Sequence, residues 1–271
     1  MSKKCPYCEK DYPEVSRYCP YCGSPNPSYK PKEEKKLNHL RQIFLFGVGF
    51  IGFQIIGTLI QLFFLFKARA DFGSNETEIL KYIYSAPVSM FVNAISYCII
   101  FCILLTISMP CVKGLLKSFK NGKAYLGALL AYAIIYSSNI LYSLIIGAAG
   151  VDVSSNNNQT SLDSIINVYP LVSLFVFGIV GPICEELTYR VGFFDFFKRK
   201  NRILAYVATI VIFTLIHFDF GASNLTNELL NIPYYASAAF AFTFVYDKFG
   251  FAASVTAHIA NNFLSILVSL I

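Results

Sequence analysis

The chain has 271 residues, of which 55% are hydrophobic and 14% charged, with a net charge of +6. Soluble domains carry roughly 25% charged residues, so this composition, with apolar runs long enough to cross a bilayer at ~20 residues each, excludes an ordinary soluble fold. It points instead to an all-α polytopic membrane protein, and because the lysines form no continuous stripe it gives no support to nucleic-acid binding.

Residues 5 to 22 read C-P-Y-C, ten residues, then C-P-Y-C, followed by Gly23. Two C-x2-C knuckles close a loop and turn four thiolates toward one point, the ligand set of a tetrahedral zinc site. Pro6 and Pro20 occupy matched places in the two knuckles, and Gly23 supplies the turn after the second. The segment resembles a short zinc ribbon over residues 1–26, with Cys5, Cys8, Cys19 and Cys22 as ligands of a structural zinc. Two disulfides, or a pair of redox C-x-x-C motifs, would use the same residues; the first needs an oxidising compartment and the second a βαβ context. With all ligands cysteine, no coordination position is left for a reactive water. The expected job is contact with a protein partner or regulation, and the metal would supply the folding energy. Residues 27–42 read as a charged linker.

The first forty residues are polar, so no leader is expected there and the first apolar segment is expected to act as the insertion signal. Seven spans are expected at about 43–66, 86–109, 124–149, 168–190, 203–219, 232–247 and 251–271. The first three form an amino-terminal membrane block, residues 43–150, and residues 165–271 form a second. The sixth span is short enough to be tilted or broken. An eighth helix within 71–85 is disfavoured by the charges there. Cys98, Cys102, Cys111 and Cys184, in or beside apolar segments, read as small packing residues.

Orientation follows from lysine and arginine in short loops. Lys32, Lys35, Lys36 and Arg41 precede the first span. Lys113, Lys117, Lys120 and Lys123 surround the second loop, and Lys198, Arg199, Lys200 and Arg202 the fourth. Loops 150–167 and 220–231 have neither residue type. The alternation predicts a cytosolic amino terminus and an outside carboxyl terminus, in what reads as a bacterial cell membrane. Loop 67–85, with charges of both signs, is its weak point.

Three polar clusters interrupt the second block: Glu185-Glu186 with Arg190, Phe213 with His217, and His258 with Asn262. An ionisable group at mid-membrane costs at least ~2.5–3.5 kcal/mol, so each needs a partner or a task. Glu186 and Arg190 are four apart and share a helix face, which lets them pair. Glu185 is turned about 100° away, as a ~3.6-residue turn requires, and is left for another partner. Each of the other two clusters, alone, fits a packing or helix-bridging role. Together they converge: Glu185 and His217 lie at equal distances before and after Asn201, so a helical hairpin sets them at one depth, and His258 enters from the turn at 247–250.

The order E-E-x-x-x-R, F-x-x-x-H, H-x-x-x-N on successive apolar segments resembles the CPBP family of intramembrane proteases, which includes the type II CAAX prenyl endopeptidases and the bacteriocin-immunity (Abi) proteins. The resemblance covers roughly residues 165–271. It implies that Glu185 is the catalytic acid and base, that His217 shares the attacking water, and that His258 and Asn262 stabilise the oxyanion. It further implies that Glu186 and Arg190 hold the site together. The run Tyr189-Arg190-Val191-Gly192 departs from the family habit of Phe before the arginine and Gly directly after it.

The expected substrate is a membrane-associated peptide or protein, hydrolysed within the lipid bilayer without a catalytic metal. Three alternatives stand beside this expectation. One is a Glu/His zinc site with a metal-bound water, although the histidines lack H-E-x-x-H spacing. Another is a proton-coupled transporter, and the third a dead scaffold whose ribbon recruits a partner.

Overall fold

The structure, a computed structural model, describes residues 2–14, 16–28 and 37–271. The chain divides into two compact units, residues 1–35 and 36–271. Much of the expected linker, with Lys32, Lys35 and Lys36, lies outside the described residues.

In the first unit, β1 (Ser2–Lys4) pairs antiparallel with β2 (Asp11–Pro13), Lys3 opposite Tyr12. Two similar turns follow the two knuckles. The Glu9 N–H bonds the Cys5 carbonyl, and the Gly23 N–H bonds the Cys19 carbonyl, each at 2.9 Å. Both turns place the residue after the second cysteine in the left-handed region, Glu9 at φ 60° and Gly23 at φ 71°. Glycine takes that conformation freely and glutamate does not.

The second unit is all helical. It contains α1 (His39–Phe72), α2 (Glu76–Ile83), α3 (Ala86–Ser118), α4 (Gly122–Ala148) and α5 (Asn157–Ile166). These are followed by α6 (Pro170–Lys198), α7 (Arg202–Leu215), α8 (Leu225–Phe249) and α9 (Phe251–Val268). Five of them, α1, α3, α4, α6 and α9, are long and apolar enough to cross a membrane, and α7 is a shorter apolar helix. The protein is an integral membrane protein. Each of the seven expected spans falls on one of these helices. The sixth is extended at its start because the polar residues from Asn227 to Asn231 continue the helix, with Pro233 inside it. Within 71–85 the chain does form a helix, α2, but its eight residues are too few to span. Its Asn75 cap and first-turn Glu76 and Glu78 explain why a charged stretch is helical. Helix α1 begins at His39, ahead of the apolar run, because the Asn38 side chain caps it by accepting from the Arg41 N–H.

Helix α6 is the hub, and most of its residues from Val176 to Phe194 are buried. Its ladder widens to π geometry twice, at Val176–Val180 and Glu186–Phe194. Helix α1 widens likewise at Val48–Gly52, where it meets α6: a Cβ on Gly49 would overlap the Thr188 side chain, with Cγ2 at 2.6 Å. Only glycine allows this approach.

Polar clamps mark the two ends of the bundle. At one end, Lys198 from α6 and Arg202 from α7 both pair with Asp247 of α8, which also accepts from the Tyr206 hydroxyl at 3.0 Å. At the other, the loop before α5 is bonded to the first turns of α8. The Ser154 N–H donates to Asn227 Oδ1 at 3.1 Å, and Asn231 Nδ2 donates to the Ser154 carbonyl at 3.0 Å. The basic turns and the lysine-free loops thus sit at opposite ends.

Candidate active site

Glu186 is completely buried and fully partnered. Its Oε1 lies 3.0 Å from Arg190 Nη1 and 2.8 Å from His258 Nδ1, and its Oε2 accepts from the Ser254 hydroxyl. Arg190, equally buried, is sandwiched over the rings of Phe213 (4.6 Å) and Phe242 (5.6 Å) and reaches the Ala239 carbonyl. The i, i+4 spacing on α6 therefore does what the sequence required of it. Ser254 was not singled out in the sequence, although it precedes His258 by four residues on α9 and so shares its face.

Glu185 differs in kind. Its Oε2 is buried without a hydrogen-bond partner, 3.6 Å from His258 Nε2. His258 stands between the two glutamates, with Nδ1 on Glu186 and Nε2 3.6 Å from Glu185, beyond hydrogen-bond reach, and stacks on Phe242 with 4.4 Å between centroids. Because Glu186 already carries the charge that balances Arg190, its oxygen acts as an acceptor and His258 Nδ1 as the donor.

His217 lies just past the end of α7. The last carbonyls of a helix have no partner inside it, and His217 Nδ1 takes one of them, the Phe213 oxygen at 2.8 Å. A carbonyl only accepts, so Nδ1 carries the proton and Nε2 presents a lone pair. The His217 ring stacks on Tyr235 at 4.6 Å and contacts Phe213 at 5.0 Å. The F-x-x-x-H spacing thus records a helix end capped by its own histidine.

Asn262 of α9 donates through Nδ2 to the Phe177 carbonyl of α6 at 3.2 Å. That carbonyl is free for a specific reason. In the π-turn the Gly181 N–H bonds the Val176 oxygen, so the next carbonyl, Phe177, would need the N–H of residue 182. That residue is proline and has none.

Glu185, His217 and Asn262 line one cavity of about 660 Å³, walled by α1, α3, α5, α6, α7 and α9. Most of its wall is apolar, including Phe50, Phe53, Phe177, Leu215 and Ile216; Tyr97 and Tyr189 also face it. The structure thus brings together all six residues singled out in the membrane block. Glu186 and Arg190 stand behind the cavity wall, and His258 stands between Glu186 and Glu185.

Sequence reasoning passed over the network at the cavity's end. Glu228 of α8, 2% exposed, accepts the Asn157 N–H at 2.8 Å and the Asp219 N–H at 3.1 Å. A single charged residue in the otherwise uncharged stretch 220–246 was the available signal. Asp219, beyond the helix end, accepts from Asn157 Nδ2 and the Gly221 N–H, which together lower its carboxyl below the usual aspartate range.

In the first unit the sulfurs of Cys5, Cys8, Cys19 and Cys22 all lie within 4.8 Å of one another. Cys5 and Cys22 are 3.6 Å apart, Cys8 and Cys19 3.7 Å. A tetrahedron with metal–sulfur bonds of ~2.3 Å has edges of about 3.8 Å, so the thiols fit a zinc ion. These distances are far beyond an S–S bond, and all four cysteines are free. Cys22 is lowered to about 6, first by its hydrogen bond with the Ser24 hydroxyl at 3.3 Å. The cluster could bind a metal, and it fits a zinc ribbon.

Comparison with known proteins places the similarity on the segment that carries the three motifs. Residues 167–264 match the family described as "Type II CAAX prenyl endopeptidase Rce1-like". The chain is 24% identical over 118 residues to UPF0177 protein YvdC of Lactococcus lactis subsp. lactis (strain IL1403), covering 43% of this chain and 42% of that protein. It is 32% identical over 89 residues to UPF0177 protein YbdI of the same organism, covering 33% of this chain and 47% of that protein. The chain thus spans less than half the length of these curated relatives. No solved structure matches it. The segment holding Glu185, Glu186, Arg190, His217, His258 and Asn262 is the Rce1-like part of this chain, in keeping with the CPBP resemblance of its three motifs.

Proposed function

We propose that this protein is an intramembrane endopeptidase that hydrolyses membrane-associated peptides or proteins with a water activated by Glu185. The observation that carries the reading is the pairing of two acceptors on one cavity. One is the carboxylate of Glu185, which lines the cavity, and the other is the lone pair that His217 must present once its Nδ1 is bound to Phe213. A water held by both has its two protons engaged and its oxygen lone pair free to attack a carbonyl carbon.

In this reading the C–O bond forms as Glu185 takes a water proton. The C–N bond then breaks as Glu185 passes that proton to the leaving amine. Asn262, on the cavity wall, is the donor for the developing oxyanion, joined by His258 Nε2 only when that ring carries both protons; one such donor is typically worth ~10²–10³ in turnover. Glu186 and Arg190 carry no bond-making step. They neutralise each other and fix the His258 ring.

The glutamate-centred form is preferred to a Glu/His metal site on geometry. Among the described residues, the four amino-terminal thiols are the only group of three or more histidine, cysteine or acidic residues whose donor atoms lie together closely enough to hold one ion. The same reading gives the amino-terminal unit a structural zinc and a protein partner. It also places the chain in a bacterial cell membrane, amino terminus inside and carboxyl terminus outside, and makes its activity akin to that of CAAX proteases and bacteriocin-immunity proteins.

The test compares the membrane peptides of cells carrying the native protein with those of cells carrying Glu185→Gln. Peptides cut only in the native strain are the expected result. Identical peptide sets at equal protein levels would refute the reading.

A further inference from the structure

We propose that Asn156, a residue outside the Rce1-like segment, is a positioning residue that seats His217 in its water-binding orientation. The catalytic consequence rests on the function proposed above; the seating itself does not.

His217 follows the last turn of α7, where a chain leaving a helix has no ladder to hold it. Its backbone is fixed from outside instead. Asn156 Nδ2 donates to the His217 carbonyl at 2.9 Å. Asn156 is 2% exposed, and its amide oxygen is spent as well: Oδ1 caps α5 by accepting from the Gln159 N–H at 3.0 Å and also accepts from the Tyr235 hydroxyl at 3.0 Å. Tyr235 in turn stacks its ring on the His217 imidazole, with the planes 22° apart. One amide therefore holds the histidine twice, directly through its carbonyl and indirectly through the ring packed on its face.

Glu228 reinforces the same contact. By accepting the N–H groups of Asn157 and Asp219, it ties the residue after Asn156 to the segment just beyond His217. With its carbonyl and ring face fixed, the His217 side chain reaches the Phe213 oxygen, and the Nδ1–H form follows. Without the tie the ring is free to rotate, and its lone pair no longer holds one direction in the cavity it shares with Glu185. Misplacement of a positioned group by about 1 Å can cost on the order of 10²-fold in rate.

Asn156→Asp separates seating from folding. Aspartate keeps the acceptor that caps α5 and receives the Tyr235 hydroxyl, but as a carboxylate it cannot donate to the His217 carbonyl. The chain has three histidines, His39, His217 and His258, so ¹⁵N-histidine NMR of the full-length protein in detergent resolves each one, assigned with His217→Gln. The native protein should show His217 as the Nδ1–H tautomer. In Asn156→Asp its two nitrogens should move toward a tautomer average, with His258 unchanged.

Against a peptide identified by the Glu185 comparison, the variant should lose at least tenfold in turnover with KM within about twofold. An unaltered His217 tautomer in Asn156→Asp, or turnover equal to the native protein's, would overturn the proposal. If no Glu185-dependent cleavage exists, the enzymatic reading fails, while the tautomer measurement still decides whether Asn156 seats His217.

Discussion

His258 Nδ1 and Arg190 Nη1 converge on one oxygen, Oε1 of Glu186, at 2.8 and 3.0 Å. Glu185, the next residue back, has an oxygen with no hydrogen-bond partner. Two adjacent acids on one helix are thus divided into one held by Arg190, His258 and Ser254 and one with an oxygen left unbonded, because a helix turns by about 100° per residue.

The division predicts opposite phenotypes. Glu186→Ala strands the fully buried Arg190 and should cost about 3–5 kcal/mol, read as a large drop in the thermal midpoint in detergent. Glu185→Gln should fold with a midpoint close to native yet abolish cleavage. Comparable destabilisation in both variants would contradict the assignment.

Asn262 and Pro182 should be energetically coupled through the Phe177 carbonyl. Asn262→Ala alone leaves that carbonyl without a donor and should cost about 1–2 kcal/mol, the scale found for interhelical hydrogen bonds in model membrane peptides. Pro182→Ala supplies an N–H at position 182, so adding Asn262→Ala to it should cost clearly less. A double-mutant cycle measured by unfolding in detergent checks this; strictly additive costs would count against it.

Gly49→Ala should push α1 away from α6 at Thr188. Overpacking of this kind costs typically 1–3 kcal/mol. The variant should unfold at lower temperature, whereas Gly147→Ala, where a Cβ meets nothing within 4 Å, should not.

The amino-terminal unit should bind one zinc per chain and lose it to a strong chelator. Cys19→Ser should abolish uptake. Binding should release protons and weaken as pH falls, because each ligand must be a thiolate. Glu9→Gly, relieving a left-handed residue by about 1 kcal/mol, should slow zinc loss, as measured by colorimetric release assays.

Much of this protein is legible in its chain. Apolar runs near twenty residues locate the helices because lipid offers the backbone no hydrogen bonds. The thiol spacing brings four sulfurs together, and the polar residues at 185, 186, 190, 217, 258 and 262 mark the candidate site because such groups are too costly in lipid to lack partners or tasks. Periodicity also distinguishes the two glutamates. What the chain does not reveal depends on segments far apart in sequence. The bond of His258 to Glu186, the capture of the Phe177 carbonyl by Asn262, and the hold of Asn156 on His217 join residues 61 to 85 positions apart. Hydropathy reports only the average solvent of a segment. Which buried carbonyl is orphaned, and which side chain from another helix satisfies it, is decided by where the helices widen, end and pack, and so only by the tertiary structure.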